Sequence, residues 1–397
     1  MITVGITVEA ALKMLAEKMP DWGTAPASLH SLENAVTAEA LIADRDYPPF
    51  DRVMMDGIAI SYEAYESGLR RFPITGVCAA GSPKTRLTDF SQALEVMTGA
   101  PLPEGASLVV PYEALKIEAG VATITEEEER DFMEFVHRSG SDSKKGEVLL
   151  ASGKELTPPN WGIAASLGYS EVKARREPKV AIISTGDELV AIDAVPAQHQ
   201  IRRSNAYALK ASLLSHGFSD VSLFHLADRE AEIENHYREA SKCFDLLIYS
   251  GGVSKGKFDY LPSVWKKCGV TEYFHGVRQK PGKPLWFGVD PSSSTAVIGL
   301  PGNPVSSLVC LHRYFLSKKV VYARLSEEIS FEPEMTYFVP VKTHSTADGV
   351  FHATPLAIQN SGDFSALAES DGFIELPPEP SRFKPGEAFR YHAWRLS

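Results

Sequence analysis

The sequence predicts a multidomain protein of α/β and β class, in which a doubly wound α/β domain stands between β-rich segments. Three observations carry this. Between about residues 178 and 317 apolar strand runs alternate with helical patterns, which is how a parallel sheet covered on both faces reads. Residues 47–140 instead hold short strand-like runs divided by Gly and Pro. After about residue 325 the helical periodicity stops and strands with turns return. A chain of 397 residues has room for several such domains.

In chain order, Val8, Ala11, Leu12, Leu15 and Met19 fall at helical spacing, and Pro20 ends that helix, expected over 5–19. Residues 28–43 read as a short helical or mixed segment. Pro73–Val77, Ser107–Val110 and Val121–Thr125 read as strands, and Glu126–Glu129 as a solvated turn. Lys179–Ser184 is a strand running into the polar turn Thr185-Gly186-Asp187-Glu188. A helix over 204–216 follows, with Ser204 as its N-cap. Strand 221–225, helix 229–242, strand 244–249, helix 259–268, strand 295–299 and helix 304–317 complete the alternation. Phe338–Val341, Val350–Thr354, Gly372–Leu376 and Ala388–Tyr391 are the strands of a separate small β-domain.

Composition narrows the function classes. The chain is 44% hydrophobic and 23% charged, the balance of a soluble globular protein. It has no apolar run of about 18 residues, so no transmembrane helix is expected. The N-terminus lacks a basic segment followed by an apolar one, so no secretory signal is expected. Cys78, Cys243, Cys268 and Cys310 form no C-x-x-C pair, which argues for small core residues in a reducing cytoplasm and against a zinc ribbon. A net charge of −11 excludes general nucleic-acid binding. An anionic ligand still fits, because Lys255, Lys257, Arg278, Lys280 and Lys283 are clustered.

The chemistry concentrates at strand ends. In open α/β sheets ligands bind beyond the carboxyl ends of the strands, so loops 184–188, 250–259 and 299–306 converge on one face. The loop Ser250-Gly251-Gly252-Val253-Ser254-Lys255-Gly256-Lys257-Phe258-Asp259 supports three readings. Gly251-x-x-x-x-Gly256-Lys257 begins a P-loop, but Phe258 stands where the Mg²⁺-binding hydroxyl belongs. Gly252-Val253-Ser254-Lys255-Gly256 matches a hydrolase nucleophile elbow, with Asp259 and His275 or His312 downstream. The third reading is a nest of backbone N–H groups and hydroxyls for an anion. Two further loops favour it. Lys280-Pro281-Gly282-Lys283-Pro284 presents two lysines on a stiff chain, and Pro301-Gly302-Asn303-Pro304-Val305-Ser306 opens a helix N-terminus.

Taken in order, these segments resemble the MoeA and gephyrin E-domain family of molybdenum insertases. Pro48-Pro49-Phe50-Asp51-Arg52-Val53-Met54-Met55-Asp56-Gly57 resembles the family's P-x-F-D-x-S-x-M-D-G segment. Met97-Thr98-Gly99-Ala100-Pro101-Leu102-Pro103-Glu104-Gly105 resembles its M-T-G-A-P-x-P-x-G turn. Ser184–Leu189, Ser204-Asn205 and the three loops above complete the set. The chain departs from the pattern at Arg52 or Val53 (usually Ser), Ile58 (Tyr), Phe135 (Asn) and Arg229, where a second acid would follow Asp228.

The resemblance implies four domains. They are 1–46 with 141–176 as a segmented N-terminal domain, 47–140 as an inserted β-rich domain, 177–325 as a MogA-like α/β molybdopterin-binding domain, and 326–397 as a C-terminal β-barrel. It implies a cytoplasmic homodimer with each site shared between subunits, acting on adenylylated molybdopterin and molybdate (or tungstate, of similar size) with Mg²⁺ and releasing AMP. Transient contact with the molybdopterin adenylyltransferase is implied, and neither nucleic acid nor membrane. Carried over residue by residue, the catalytic set is Asp56, Thr98, Asp142, Glu188, Asp259, Lys280 and Lys283. Ser250, Gly251, Gly252, Ser254, Pro301, Gly302, Asn303 and Ser306 bind the pterin substrate, and Glu188, Asp228 and Asp259 the metal. Asp187 is read as a turn residue. A pterin-binding scaffold without strong activity is the alternative, and a Ser254 hydrolase the third possibility.

Overall fold

The computed structural model describes residues 5–31, 35–126, 129–254, 259–316, 320–332, 334–357, 360–363 and 365–395. The chain divides into two compact units, Thr24–Arg175 and Met1–Gly23 with Arg176–Ser397.

The second of these contains the α/β domain. Its elements are α1 (Val8–Lys18), β1 (Val180–Thr185), α2 (Ser204–Ser215), β2 (Val221–Leu226), α3 (Glu230–Cys243), β3 (Leu246–Ser250), α4 (Leu261–Lys267), β4 (Thr271–His275), β5 (Trp286–Asp290), β6 (Thr295–Leu300) and α5 (Pro304–Leu311). The strands lie in the order β2-β1-β3-β6-β5-β4. Every residue of β1, β3, β5 and β6 is buried, as sheets covered on both faces require. The first four strands are parallel, as expected. The expectation of a wholly parallel sheet is corrected at the other end, where β5 runs antiparallel to β6 and β4 antiparallel to β5. The link 291–294 is too short for a crossover and makes a hairpin obligatory.

Other expectations shift locally. The N-terminal helix is capped by Thr7, whose hydroxyl accepts from the Ala10 amide at 3.2 Å. Its Val8, Ala11 and Leu15 share a core with Val180, Ile182 and Phe274. Ser204 is the first residue of α2 and not its cap; Arg203 holds that position without a side-chain cap bond. The helix expected over 304–317 is α-helical to Leu311 and then widens into a π turn, His312–Leu316. There His312 Nε2 lies 3.0 Å from Ser212 Oγ, and Arg313 Nη2 donates to Glu375 Oε1 at 3.0 Å.

The C-terminal strands close on themselves as a barrel. Thr336–Ser345 pairs with Phe351–Pro355 on one side and Gly372–Leu376 on the other. Val321–Leu325 and Ala388–Ala393 complete the ring. Leu325, Val341, Ile374 and Phe383 fill its interior.

In the Thr24–Arg175 unit, a six-stranded sheet runs in the order Leu108–Pro111, Gly57–Ile60, Ala93–Val96, Arg71–Cys78, Val121–Ile124, Leu115–Glu118. Thr24–Ser28 pairs with Glu171–Arg175 beside the helix Pro158–Ser166, over a core containing Leu41, Trp161 and Val172. No helix is found among the described residues of 28–43. Val36 and Thr37 are extended there, paired with Glu155 and Ala174, and the fully buried Thr37 donates its hydroxyl to the Ala151 carbonyl at 3.1 Å. Glu126 is ion-paired with Arg130, while residues 127–128 of the acidic run lie outside the described residues.

Candidate active site

Strand β3 delivers the chain to Gly251 and Gly252 at the carboxyl edge of the sheet. Both are left-handed, with φ of +100° and +65°. A Cβ on Gly251 would come within 3.0 Å of the Thr185 carbonyl oxygen, and one on Gly252 within 2.9 Å of Leu261 Cδ1. The loop therefore lies directly against the end of β1. The Thr185 hydroxyl is buried and has no hydrogen-bond partner among the described residues. An orphaned hydroxyl in such a place is a donor set for a ligand. Asn205, in the first turn of α2, joins two loops: its Nδ2 donates to Ser250 Oγ at 3.2 Å and to the Gly302 carbonyl at 2.7 Å.

These groups surround a cavity of about 300 Å³. Its wall includes Thr185, Gly251, Gly252, Ser254, Pro284, Pro301 and Gly302, together with the carboxylates Glu188, Asp228 and Asp259. Burial raises the Asp228 pKa, and the charges of Asp187, Glu188 and Asp259 push it further in the same direction. Asp187 Oδ1 accepts from the Asp228 amide at 3.3 Å, which ties its turn to a loop 41 residues on. So concentrated a negative charge suits a divalent cation. Among the described residues no three His, Cys, Asp or Glu side chains converge on one point. The donor set thus fits a hard ion held by one or two carboxylates plus waters and substrate phosphate, the habit of Mg²⁺, and not an all-protein cage.

The other expected residues are placed differently. Ser250 and Ser306 are buried, at 4% and 3% exposure, and do not line the cavity. Asn303 donates to Ser361 Oγ at 2.6 Å, and the Val305 amide donates to the Ser361 carbonyl at 3.2 Å. At least that N–H of the α5 N-terminus is therefore not free for a ligand, contrary to the sequence reading. Gln279–Lys280 pairs in parallel with Thr336–Tyr337 of the barrel, and Lys280 Nζ lies over the Phe331 and Tyr337 rings at 5.3 and 5.7 Å. Lys280 and Lys283 are exposed; Pro284 of the same loop contributes to the cavity wall.

The hydrolase reading loses its base. His275 Nε2 is engaged with the Val253 carbonyl at 2.8 Å, and His312 is buried against Ser212. Lys255, Gly256, Lys257 and Phe258, on which the P-loop reading turns, lie outside the described residues.

The Thr24–Arg175 unit holds the remaining expected residues in one neighbourhood. Thr98 donates to Asp56 Oδ1 twice, from its amide at 2.6 Å and its hydroxyl at 2.8 Å, and these bonds lower the Asp56 pKa. The Arg52–Val53 strand pairs with Val136–His137, and Val53 also holds the 97–100 turn through the Gly99 amide. His137 Nε2 lies 2.6 Å from Asp142 Oδ1, a bond that lowers the Asp142 pKa. Phe135 is left-handed at φ +55°, and its carbonyl accepts from the Met54 amide at 2.9 Å.

Comparison with known proteins extends these arrangements over the whole chain. Residues 6–168 match the family model of the MoeA N-terminal region (domains I and II), residues 181–318 that of a "probable molybdopterin binding domain", and residues 322–394 that of the MoeA C-terminal region (domain IV). The chain is 49% identical to the molybdopterin molybdenumtransferase of Synechocystis sp. over 98% of this chain and 100% of that one. The chain belongs to the MoeA family. To the Haemophilus influenzae molybdopterin molybdenumtransferase it is 31% identical, over 96% and 97% of the two chains. The solved MoeA protein of Pyrococcus horikoshii superposes with a TM-score of 0.80 at 25% identity, covering 99% of this chain and 100% of that one.

Sequence reasoning passed over five residues that the structure places at or beside these sites. Asn205 was visible only as half of a Ser-Asn motif, and Thr185 only as part of a turn. Pro284 gave no signal beyond stiffness. His137 was one residue in a basic stretch, and its partner Arg52 stood out only as a departure from the family segment. Phe135 occupies a left-handed position, which an Asn adopts more readily than a Phe does.

Proposed function

We propose that this chain is a molybdopterin molybdenumtransferase, which inserts molybdate into adenylylated molybdopterin and releases AMP. The observation that carries the reading is the cavity at the carboxyl edge of the sheet. There a left-handed glycine pair, an orphaned hydroxyl and three carboxylates line one cavity within the stretch matching the molybdopterin-binding family model. Relatives matching 98% and 96% of this chain are named molybdopterin molybdenumtransferase.

In this reading Gly251, Gly252 and Ser254 cradle the pterin phosphate, with Thr185 as an added donor and Ser250 holding the loop through Asn205. Pro301 and Gly302 form the opposite wall, while Asn303 and Ser306 shape the helix entry behind it. Lys280 and Lys283 bring positive charge to molybdate or phosphate oxygens. One or two of Glu188, Asp228 and Asp259 would hold Mg²⁺, whose charge would offset that of the phosphoanhydride. The chain acts as a homodimer, Asp56, Thr98 and Asp142 of one copy completing the site of the other. It receives its substrate by transient contact with the molybdopterin adenylyltransferase. Four unpaired cysteines suit the reducing cytoplasm in which this chemistry would run.

The test is AMP release by purified protein given adenylylated molybdopterin, molybdate and Mg²⁺. Wild type releases AMP, and Asp259→Ala or Lys280→Ala loses about 100-fold with folding intact. Tight pterin binding without AMP release would leave the scaffold reading in its place. Labelling of Ser254 by a fluorophosphonate would restore the hydrolase.

A further inference from the structure

Arg52 and His137 stand opposite each other in the short antiparallel ladder of Arg52–Val53 with Val136–His137. That register sets the Arg52 guanidinium beside the imidazole, with Nη2 3.0 Å from His137 Nδ1. A guanidinium has five N–H donors and no acceptor. Nδ1 must therefore accept, which puts the ring in its neutral form with the proton on Nε2. Nε2 lies 2.6 Å from Asp142 Oδ1 and so donates to it. Ser141 Oγ donates to the same oxygen at 3.2 Å. Among the described residues no partner is found for Oδ2, and the Asp142 side chain is 57% exposed. One carboxylate oxygen is held and the other is left open.

We propose that Arg52 and His137 are positioning residues for Asp142. Arg52 fixes the tautomer of His137, and His137 fixes the Asp142 carboxylate so that Oδ2 faces the reacting groups. This rests on the reading of Asp142 as a site residue of the transferase. A guanidinium can only donate, so it imposes one imidazole tautomer. The remaining proton then has one place to go, toward Asp142. The ladder also explains why this holds in a loop. Arg52 and His137 are adjacent cross-strand residues on paired backbone, and Asp142 follows five residues on.

Two measurements on the full-length protein test it. The first is the imidazole tautomer, read from two-bond proton–nitrogen correlations of nitrogen-15 histidine-labelled protein above neutral pH, with His137 assigned by its loss in His137→Gln. Wild type shows the Nε2–H tautomer, and Arg52→Met shows a mixture with Nδ1–H. An Nδ1–H ring in wild type, or an unchanged ring in Arg52→Met, overturns the proposal. The second is steady-state AMP release. His137→Ala lowers kcat about 10-fold with little change in KM, and His137→Gln, whose amide N–H can still reach Asp142, restores most of it. Asp142→Ala on top of His137→Ala costs much less than it does in wild type. If Asp142→Ala lowers kcat and His137→Ala does not, positioning fails while the transferase reading stands. If Asp142→Ala leaves AMP release intact, the placement of Asp142 in the site fails first, and the proposal falls with it.

Discussion

Asn205 is the residue on which the geometry of the cavity depends most, and its removal gives the most direct test. Its Nδ2 bridges Ser250 Oγ and the Gly302 carbonyl, at 3.2 and 2.7 Å. It thus ties the loop after β3 to the loop after β6 without itself lining the cavity. Asn205→Ala deletes both bonds. At about 0.5–1.5 kcal/mol each, the tie is worth about 1–3 kcal/mol, or roughly 5- to 150-fold in the population with both loops in place. Molybdopterin binding should weaken by that factor, read from pterin fluorescence titrations. Asn205→Asp should be worse, because it loses both donors and sets a carboxylate against the Gly302 carbonyl. Asn160→Ala is the control. It removes an Asn Nδ2 bond to the Glu155 carbonyl in the other unit and should leave pterin affinity unchanged. Affinity in Asn205→Ala within about twofold of wild type would refute the reasoning, whatever happened to stability.

Two further outcomes follow from single positions. Gly251→Ala forces an L-residue into φ +100° with its Cβ 3.0 Å from the Thr185 carbonyl, so the thermal midpoint should fall and pterin binding should weaken together; a variant as stable and as tight-binding as wild type would remove the close approach from the argument. Burial, and then the charge of His216, pushes the His312 pKa down to about 3. The unfolded ring takes up a proton that the folded ring refuses, so the stability from neutral His312 is complete above about pH 6.5 and lost as pH falls toward about 3. Between about pH 7 and pH 5 this amounts to about 2 kcal/mol, which hydrogen exchange of amides in α2 and in Ala388–Ala393 should report and His312→Gln should abolish. The His392 pKa is also lowered, by burial, and its smaller acid loss should survive in that variant.

The α/β alternation was legible because β1, β3 and β6 are buried along their whole length, and strands covered on both faces read as unbroken apolar runs. Neither β5 nor its direction was read, although the information was present. Trp286-Phe287-Gly288-Val289-Asp290 is as apolar as a parallel strand, and only the four-residue link to Thr295 says that it must turn back. The glycine loop was legible for a similar reason: left-handed backbone and close approach leave a mark in residue type at the position itself.

Partnership leaves no such mark. Asn205 meets Ser250 and Gly302 across 45 and 97 residues, and Arg52 meets His137 across 85. Each is an ordinary polar residue until the fold supplies its neighbour. Departures from a family segment are informative for this reason. Phe135 shows the limit of reading them one at a time. As a sequence change it only removes an Asn. In the fold it holds a left-handed turn, packs beside the core containing Val53 and Val136, and offers its carbonyl to Met54. The Met54 bond fixes the Arg52–Val53 strand against Val136–His137. The backbone that a small polar residue would accept without strain is kept here by packing a large, partly buried ring against that core, and the Arg52–His137 contact stands on the ladder that this preserves.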